Sequence, residues 1–212
     1  MSNGLSLADY ITLELRADII GGRFPPGMPL LESELVRTYN ASRNTIREAL
    51  HRLGQDGLAL YIRHKGMTVR RLNSDDVRDL FRVRRTLELQ AIANARPLRE
   101  YQSDYMLEAL EAAELARERE DWRSVGTHGL RFHQHVVGLL DSRLLDEFFT
   151  KVVAQLRLLF FSAPDEALFQ APWLARDHQI HEWLAEGDKH SAGEAMESYL
   201  HDSERLLLSM FS

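Results

Sequence analysis

"ASRNTIREAL", residues 41–50, places Arg43 and Arg47 in one short stretch of a 212-residue chain whose formal net charge is −6. Ile46, Ala49, Leu50 and Leu53 stand at i, i+3, i+4 and i+7, the spacing of one face of an α-helix. Asn44, Arg47, Glu48 and His51 fall away from that face, with Arg43 in the first turn. Ser42 is a side-chain acceptor suited to capping the first free amides. The stretch predicts a helix that buries aliphatic groups and shows Arg, Asn and Thr at its N-terminal end. Those side chains carry donors suited to guanine edges, adenine edges and phosphates. An amphipathic helix with an ordinary solvated face has the same periodicity, so the flanking segments must decide.

Upstream, Leu7, Ile11, Leu15 and Ile19 repeat every four residues and predict a helix with one apolar stripe. Ser6 and Asp9 suit its start. Gly21-Gly22 and "FPPGMP" end it. A short helix follows over Glu32–Tyr39, with Leu35 and Val36 inward, and Asn40 and Ala41 form a tight turn. Helix, short turn and capped helix with polar first turns is the helix-turn-helix arrangement. Downstream, Gly54 and Asp56-Gly57 stop the third helix. "LALYI" and "MTVRRL" favour strand, and "RHKG" between them suits a hairpin turn. A basic two-stranded wing behind a helix-turn-helix is a winged helix, and this tips the reading toward DNA.

Charge divides the chain in the same place. Residues 1–72 hold 10 Lys+Arg against 7 Asp+Glu, a charge of +3, and the remainder holds 16 against 25, or −9. Two domains with different partners are expected, 1–72 and 73–212.

The second part shows no strand alternation. A helix opens at "NSDD" and runs to about Ala95, with Val77, Leu80, Phe81, Leu87 and Ala91 inward. Further helices are expected over about 102–119, 121–140, 142–161, 172–186 and 188–210. Leu145, Phe148, Phe149, Val152, Leu156 and Phe160 make the one over 142–161 too apolar for a surface helix. It should be central or lie in a dimer interface. "SAPDEALFQAP" reads as a loop or broken turn. The fold class expected is mostly α: an N-terminal winged helix-turn-helix and a C-terminal all-α helical bundle.

Composition removes several functions. Cysteine is absent, which excludes a disulfide framework, a Cys-based zinc site and a thiol nucleophile. The first residues lack the basic and apolar runs of a secretory signal. The most apolar stretch, "VVAQLRLLFF", is broken by Gln155 and Arg157, so no membrane span is expected and the cytoplasm is the expected location. No glycine-rich phosphate loop, nucleophile elbow or HExxH appears. The nine histidines, with His128, His133 and His135 close together, leave a metal-dependent helical-bundle enzyme as the alternative, ranked well below a non-enzymatic regulator.

The run "IIGGRFPPGMPLLESELVRTYNASRNTIREALHRLGQDGLA", with Gly66 beyond it, resembles the GntR family of bacterial transcription regulators. The resemblance implies that Arg43 and Arg47 contact bases or phosphates and that Ser42 and Thr45 contact phosphates. It implies that Gly66 lets the wing approach the minor groove, accompanied by His64 and Lys65. Asn44 joins this DNA-binding set from its place on the exposed face. Ser33 departs from family members that carry a DNA-contacting arginine there. The partner implied is double-stranded DNA, read as a palindromic operator by a homodimer that acts as a repressor.

"VRRTLE" at 83–88, "FH" at 132–133 and "DHQIHEWLAEGDKHSAGEAMESYL" at 177–200 resemble the FCD effector domain of the FadR subfamily. The resemblance implies a dimeric bundle binding a small carboxylate metabolite, often beside a divalent metal. Arg84, His133, His178 and Tyr199 are the effector-binding residues it suggests. Arg84 also has a simpler reading, an i, i+4 pair with Glu88. The family's metal site takes an Asp four residues before the first histidine, and that position here is Gly129. His133 and His178 match the first two histidines, and Tyr199 stands at the last. Two imidazoles and a phenol are few for a divalent ion. The expectation is a pocket with no tightly bound metal and no cofactor. His133, His178 and His181 would be the fallback set.

Overall fold

The computed structural model describes residues 5–161 and 165–211, and the chain forms two compact units, Met1–Leu72 and Asn73–Ser212.

The first unit contains α1 (Leu7–Ile20), α2 (Glu32–Tyr39), α3 (Arg43–Gln55), β1 (Ala59–Ile62) and β2 (Gly66–Val69). Ser6 and Asp9 form a reciprocal capping box at the start of α1. The buried face of α1 is Ala8, Ile11, Thr12, Leu15 and Ile19. Leu7, expected in the stripe, is 51% exposed, because it is one residue, about 100° of helix turn, off the line through Ala8. α2 ends at Asn40 in the left-handed conformation, φ 48° and ψ 44°. α3 packs Ile46, Ala49, Leu50 and Leu53 inward, against α1 and α2.

β1 and β2 pair antiparallel, from Ala59 opposite Val69 to Ile62 opposite Gly66. The hairpin turns through His64 and Gly66, with φ 68° and 78°. The segment before α2 joins this wing as a short third edge. The Leu30 amide donates to the Met67 carbonyl (2.7 Å) and the Val69 amide to the Met28 carbonyl (2.9 Å). The three prolines in "FPPGMP" hide that pairing from a strand pattern.

The second unit contains α4 (Ser74–Asn94), α5 (Glu100–Glu118), α6 (Trp122–Gly138), α7 (Arg143–Phe161), α8 (Glu166–Gln170), α9 (Leu174–Glu186) and α10 (Lys189–Ser209). Asn73 caps α4 and forms a capping box with Asp76. α6 lies at the centre, packed on α4, α5, α7, α8 and α9. Its Phe132, Val136 and Val137 are fully buried.

Three more expectations need correction. The stretch read as a loop over 162–172 contains the single-turn helix α8, capped by Asp165; residues 162–164 lie outside the described set. Phe148 of α7 is 48% exposed, so the buried apolar face of that helix starts at Phe149. On α4 the inward position expected for Leu87 belongs to Glu88, buried with Arg84, while Leu87 is only half-buried. Among the described residues, no helix is long and apolar enough to cross a membrane.

Candidate nucleic-acid interface and buried polar cluster

The start of α3 is built by its cap. Ser42 Oγ accepts from the Thr45 amide (3.1 Å) and lies 2.8 Å from Thr45 Oγ1. This leaves Ser42, Arg43, Asn44 and Arg47 exposed and Thr45 half-buried along one edge. The first turn of α3 holds no acidic residue, so its amide dipole end is free to meet a negative charge. Other arginines nearby are held by the fold: Arg16 pairs with Asp56, and Arg52 with Asp9 and with Glu48 (2.6 Å). Arg43 and Lys65 make no ion pair among the described residues. His64 and Lys65 are exposed at the hairpin tip, with half-buried Gly66 closing it.

Arg47 is tethered. Its Nε donates to Glu32 Oε1 at 3.0 Å and to Oε2 at 2.9 Å. The hydrogen bonding and charge of Glu32 raise the Arg47 guanidinium above its ordinary value. Sequence reasoning missed Glu32, which lies 15 residues away on α2.

The helical unit holds a polar cluster in its core. Arg84 and Glu88 come from α4, His133 from α6, Asp177 from α9 and Tyr199 from α10, all buried. Arg84 Nε donates to Glu88 Oε1 (2.6 Å), and His133 Nδ1 donates to Glu88 Oε2 (2.6 Å). His133 Nε2 faces Asp177 Oδ1 at 3.4 Å. The Tyr199 ring packs edge-on to His133 with centroids 4.8 Å apart. Arg84 faces the interior and makes the i, i+4 pair with Glu88, the simpler of its two sequence readings.

Burial and charge compete at each group. For Glu88, burial pushes the carboxyl up, but Arg84 and His133 outweigh it and hold the pKa below its ordinary value. For His133, burial favours the neutral ring, but Glu88 and Asp177 outweigh burial and Arg84, and the pKa is raised. Asp177 is raised by burial, which its histidine neighbour only partly offsets. Burial raises Tyr199 well above its ordinary value, so its phenol stays protonated.

Two expected members are elsewhere. His178 is about one-third exposed and sits 3.6 Å from Glu114 of α5. His181 Nε2 is 3.0 Å from Ser103 Oγ. The residue of α9 that faces His133 is Asp177, one position earlier and about 100° round the helix. Gly129 lies against it: a Cβ there would stand 3.5 Å from Asp177 Oδ2, in ordinary van der Waals contact. A divalent metal does not fit this donor set. Among the described residues no three His, Cys, Asp or Glu side chains converge on a point. With Nδ1 of His133 bonded to Glu88, only its Nε2 and the Asp177 carboxylate face one another there, short of the three or more protein ligands usual for zinc.

What the cluster does offer is donors. Gln170 Nε2 and Trp173 Nε1 are buried without a hydrogen-bond partner, and His133 Nε2 and Asp177 Oδ1 are buried with only each other, 3.4 Å apart. They line, with Arg84, a cavity of about 10 Å³, room for roughly one water.

Comparison with known proteins agrees with this architecture. A family model described as "Bacterial regulatory proteins, gntR family" matches residues 7–69, and one for the FCD domain matches residues 79–202. An uncharacterized HTH-type transcriptional regulator from the TAR-I ttuE-ttuC' intergenic region of Agrobacterium vitis is 31% identical over 120 residues, 54% of this chain and 69% of that protein. The HTH-type transcriptional repressor RspR of Escherichia coli (strain K12) is 29% identical over 131 residues, 61% of this chain and 58% of RspR. A solved structure described as a GntR transcriptional regulator from Rhodococcus sp. RHA1 superposes with a TM-score of 0.93 at 32% identity, covering 98% of this chain and all of that one. E. coli McbR/YncC, at 20% identity and a TM-score of 0.83 over 99% of this chain and all of that one, shares the fold. The chain belongs to the gntR family of bacterial regulatory proteins, carries an FCD domain after its winged helix, and is a transcription regulator rather than an enzyme.

Proposed function

We propose that this regulator binds a palindromic operator as a homodimer in the bacterial cytoplasm and represses by occluding it. A small carboxylate metabolite in the helical unit would change its operator affinity. The exposed, acid-free first turn of α3, with Arg43 unpaired beside it, carries the DNA reading. Arg43 and Arg47 are the groups for guanine edges, Asn44 for adenine, and Ser42 and Thr45 for phosphate. His64, Lys65 and Gly66 bring the wing to the backbone or minor groove. One such module makes a small interface, and a two-fold pair doubles it, which demands a palindrome.

The effector reading rests on Arg84, His133 and Tyr199, with the unpaired donors of Gln170 and Trp173 beside them. A carboxylate there gains Arg84 and the two N–H donors of Gln170 and Trp173. It also needs more room than about 10 Å³, so its entry must displace lining helices. Ligand affinity then differs between two arrangements of the unit, as coupling requires. His178 does not line that cavity and sits half-buried beside Glu114 of α5.

Mobility-shift titration tests the first half. Arg43→Ala should lower affinity for the operator about 5- to 150-fold if Arg43 reads a guanine. Equal wild-type affinity for operator and random DNA would end the reading. A thermal-shift screen of small carboxylates, followed by operator titration with each hit, tests the second half.

A further inference from the structure

A cavity far roomier than the central one lies elsewhere in the helical unit. At one end of the bundle, the last turn of α4, the α4–α5 connection, the first turns of α5 and the end of α6 enclose about 510 Å³. That lies within the usual size of a small-molecule site, about 300–1,000 Å³. Arg96, Arg99, Tyr101, Tyr105, His135 and Asp141 are the chemically distinctive residues on its wall.

Three features of this wall act together. First, it is positive in an acidic domain. Arg96 makes no ion pair among the described residues, and Arg99 spends one donor on Tyr101 Oη (3.1 Å). Asp141 is the one acid among the described lining residues. Second, the wall is aromatic. Tyr105 stacks on His135 with centroids 5.7 Å apart and planes 20° from parallel, and Tyr101 meets Tyr105 edge-on at 6.0 Å. Tyr101 and Tyr105 are nevertheless 48% and 52% exposed, so ring surface stays open. Third, the stack itself is uncharged. Burial, then Arg131, lowers the His135 pKa, so the ring is neutral near pH 7 and offers a π-face rather than a third cation.

We propose that this end cavity is a second ligand site, separate from the central cluster, for a planar aromatic carboxylate. Its ring would lie on Tyr105 and Tyr101, and its carboxylate would reach Arg96 and Arg99. A guanidinium binds a carboxylate through two parallel N–H groups, and an aromatic face accepts a flat ring by offset stacking. Neither feature alone selects this class. An aliphatic acid forgoes the stack, and a neutral arene forgoes the arginines. The site needs neither DNA nor the central pocket, so it stands apart from the proposed function.

Isothermal titration of the full-length protein with naphthoate tests the proposal, with cyclohexanecarboxylate and naphthylmethanol as matched controls. Naphthoate should bind, and both controls should bind about tenfold or more weaker. Arg96→Gln/Arg99→Gln and, separately, Tyr105→Leu should each weaken naphthoate about tenfold or more. These side chains are exposed, so circular dichroism and melting temperature should match the wild type. His133→Gln, which alters the central cluster, should leave naphthoate affinity unchanged. No naphthoate binding, equal binding of cyclohexanecarboxylate, or loss of binding in His133→Gln but not in the arginine double variant would each overturn the proposal. So would conversion of a dimer to a monomer by the double variant, since the cavity would then be a subunit contact.

Discussion

Arg47 of α3 is clasped by Glu32 of α2, its Nε within 3.0 Å of both carboxylate oxygens. The pair is solvent-exposed and so contributes little to folding. In the proposed DNA-binding role of Arg47 its effect falls on recognition: a phosphate or guanine would compete with Glu32 for the guanidinium, and the carboxylate would repel the DNA backbone.

Glu32→Gln should therefore raise affinity for random DNA a few-fold and narrow the gap between operator and random sequence. The folded state should be unaffected. Fluorescence anisotropy with both DNAs at two salt concentrations reads this directly. A drop in operator affinity would instead mean that Glu32 orients Arg47 within the complex.

The wing depends on one backbone conformation. Gly66 has φ 78°, and a Cβ added there would meet nothing within 4 Å. Gly66→Ala therefore carries only backbone strain, about 1–2 kcal/mol. Chemical denaturation should show that loss in the first unit, and operator affinity should fall as the hairpin tip with His64 and Lys65 shifts. An unchanged operator affinity would remove the wing from the interface.

In the helical unit, Arg84 and Glu88 are 1% and 0% exposed. Glu88→Leu strands the Arg84 guanidinium and should destabilise the protein by about 3–5 kcal/mol. Arg84→Met/Glu88→Leu removes the uncompensated charge and should recover part of that loss. Urea titrations of the single and double variants measure the coupling. Strict additivity would show the pair to be energetically independent.

The cluster should also make stability depend on pH. His133 has a pKa raised above its ordinary 6.5, so its contribution is fully present below 6.5 and is lost as pH rises through the raised value. Glu88, held below its ordinary 4.5, contributes above 4.5, and that is lost as pH falls through the depressed value. Asp177 is raised, so its ionisation disfavours the folded state and opposes Glu88 in the acid range. The alkaline limb is therefore the clean one. The melting temperature should decline as pH rises above 6.5 through the raised pKa of His133, and His133→Gln should flatten the decline.

Local chemistry made much of this protein legible in its sequence. Caps at Ser6, Ser42 and Asn73 announce three helix starts because a side-chain oxygen and an amide two or three residues on are enough to form them. The buried face of α3 followed from its period, and the hairpin from its turn residues. Long-range packing decided the rest. Which residue of α9 meets His133 depends on how that helix lies against α5, α6 and α10, and a one-residue rotation replaces His178 with Asp177. The motif resemblance could not resolve that rotation. Leu87 yields the core of α4 to Glu88 because Arg84, one turn away, and His133, on a helix 45 residues on, together neutralise the buried carboxylate. The pairing of Leu30 with Met67 and the clasp of Arg47 by Glu32 are of the same kind. A cap is complete within one turn of chain, whereas a buried charge or an edge pairing is settled only by the partner that folding brings to it.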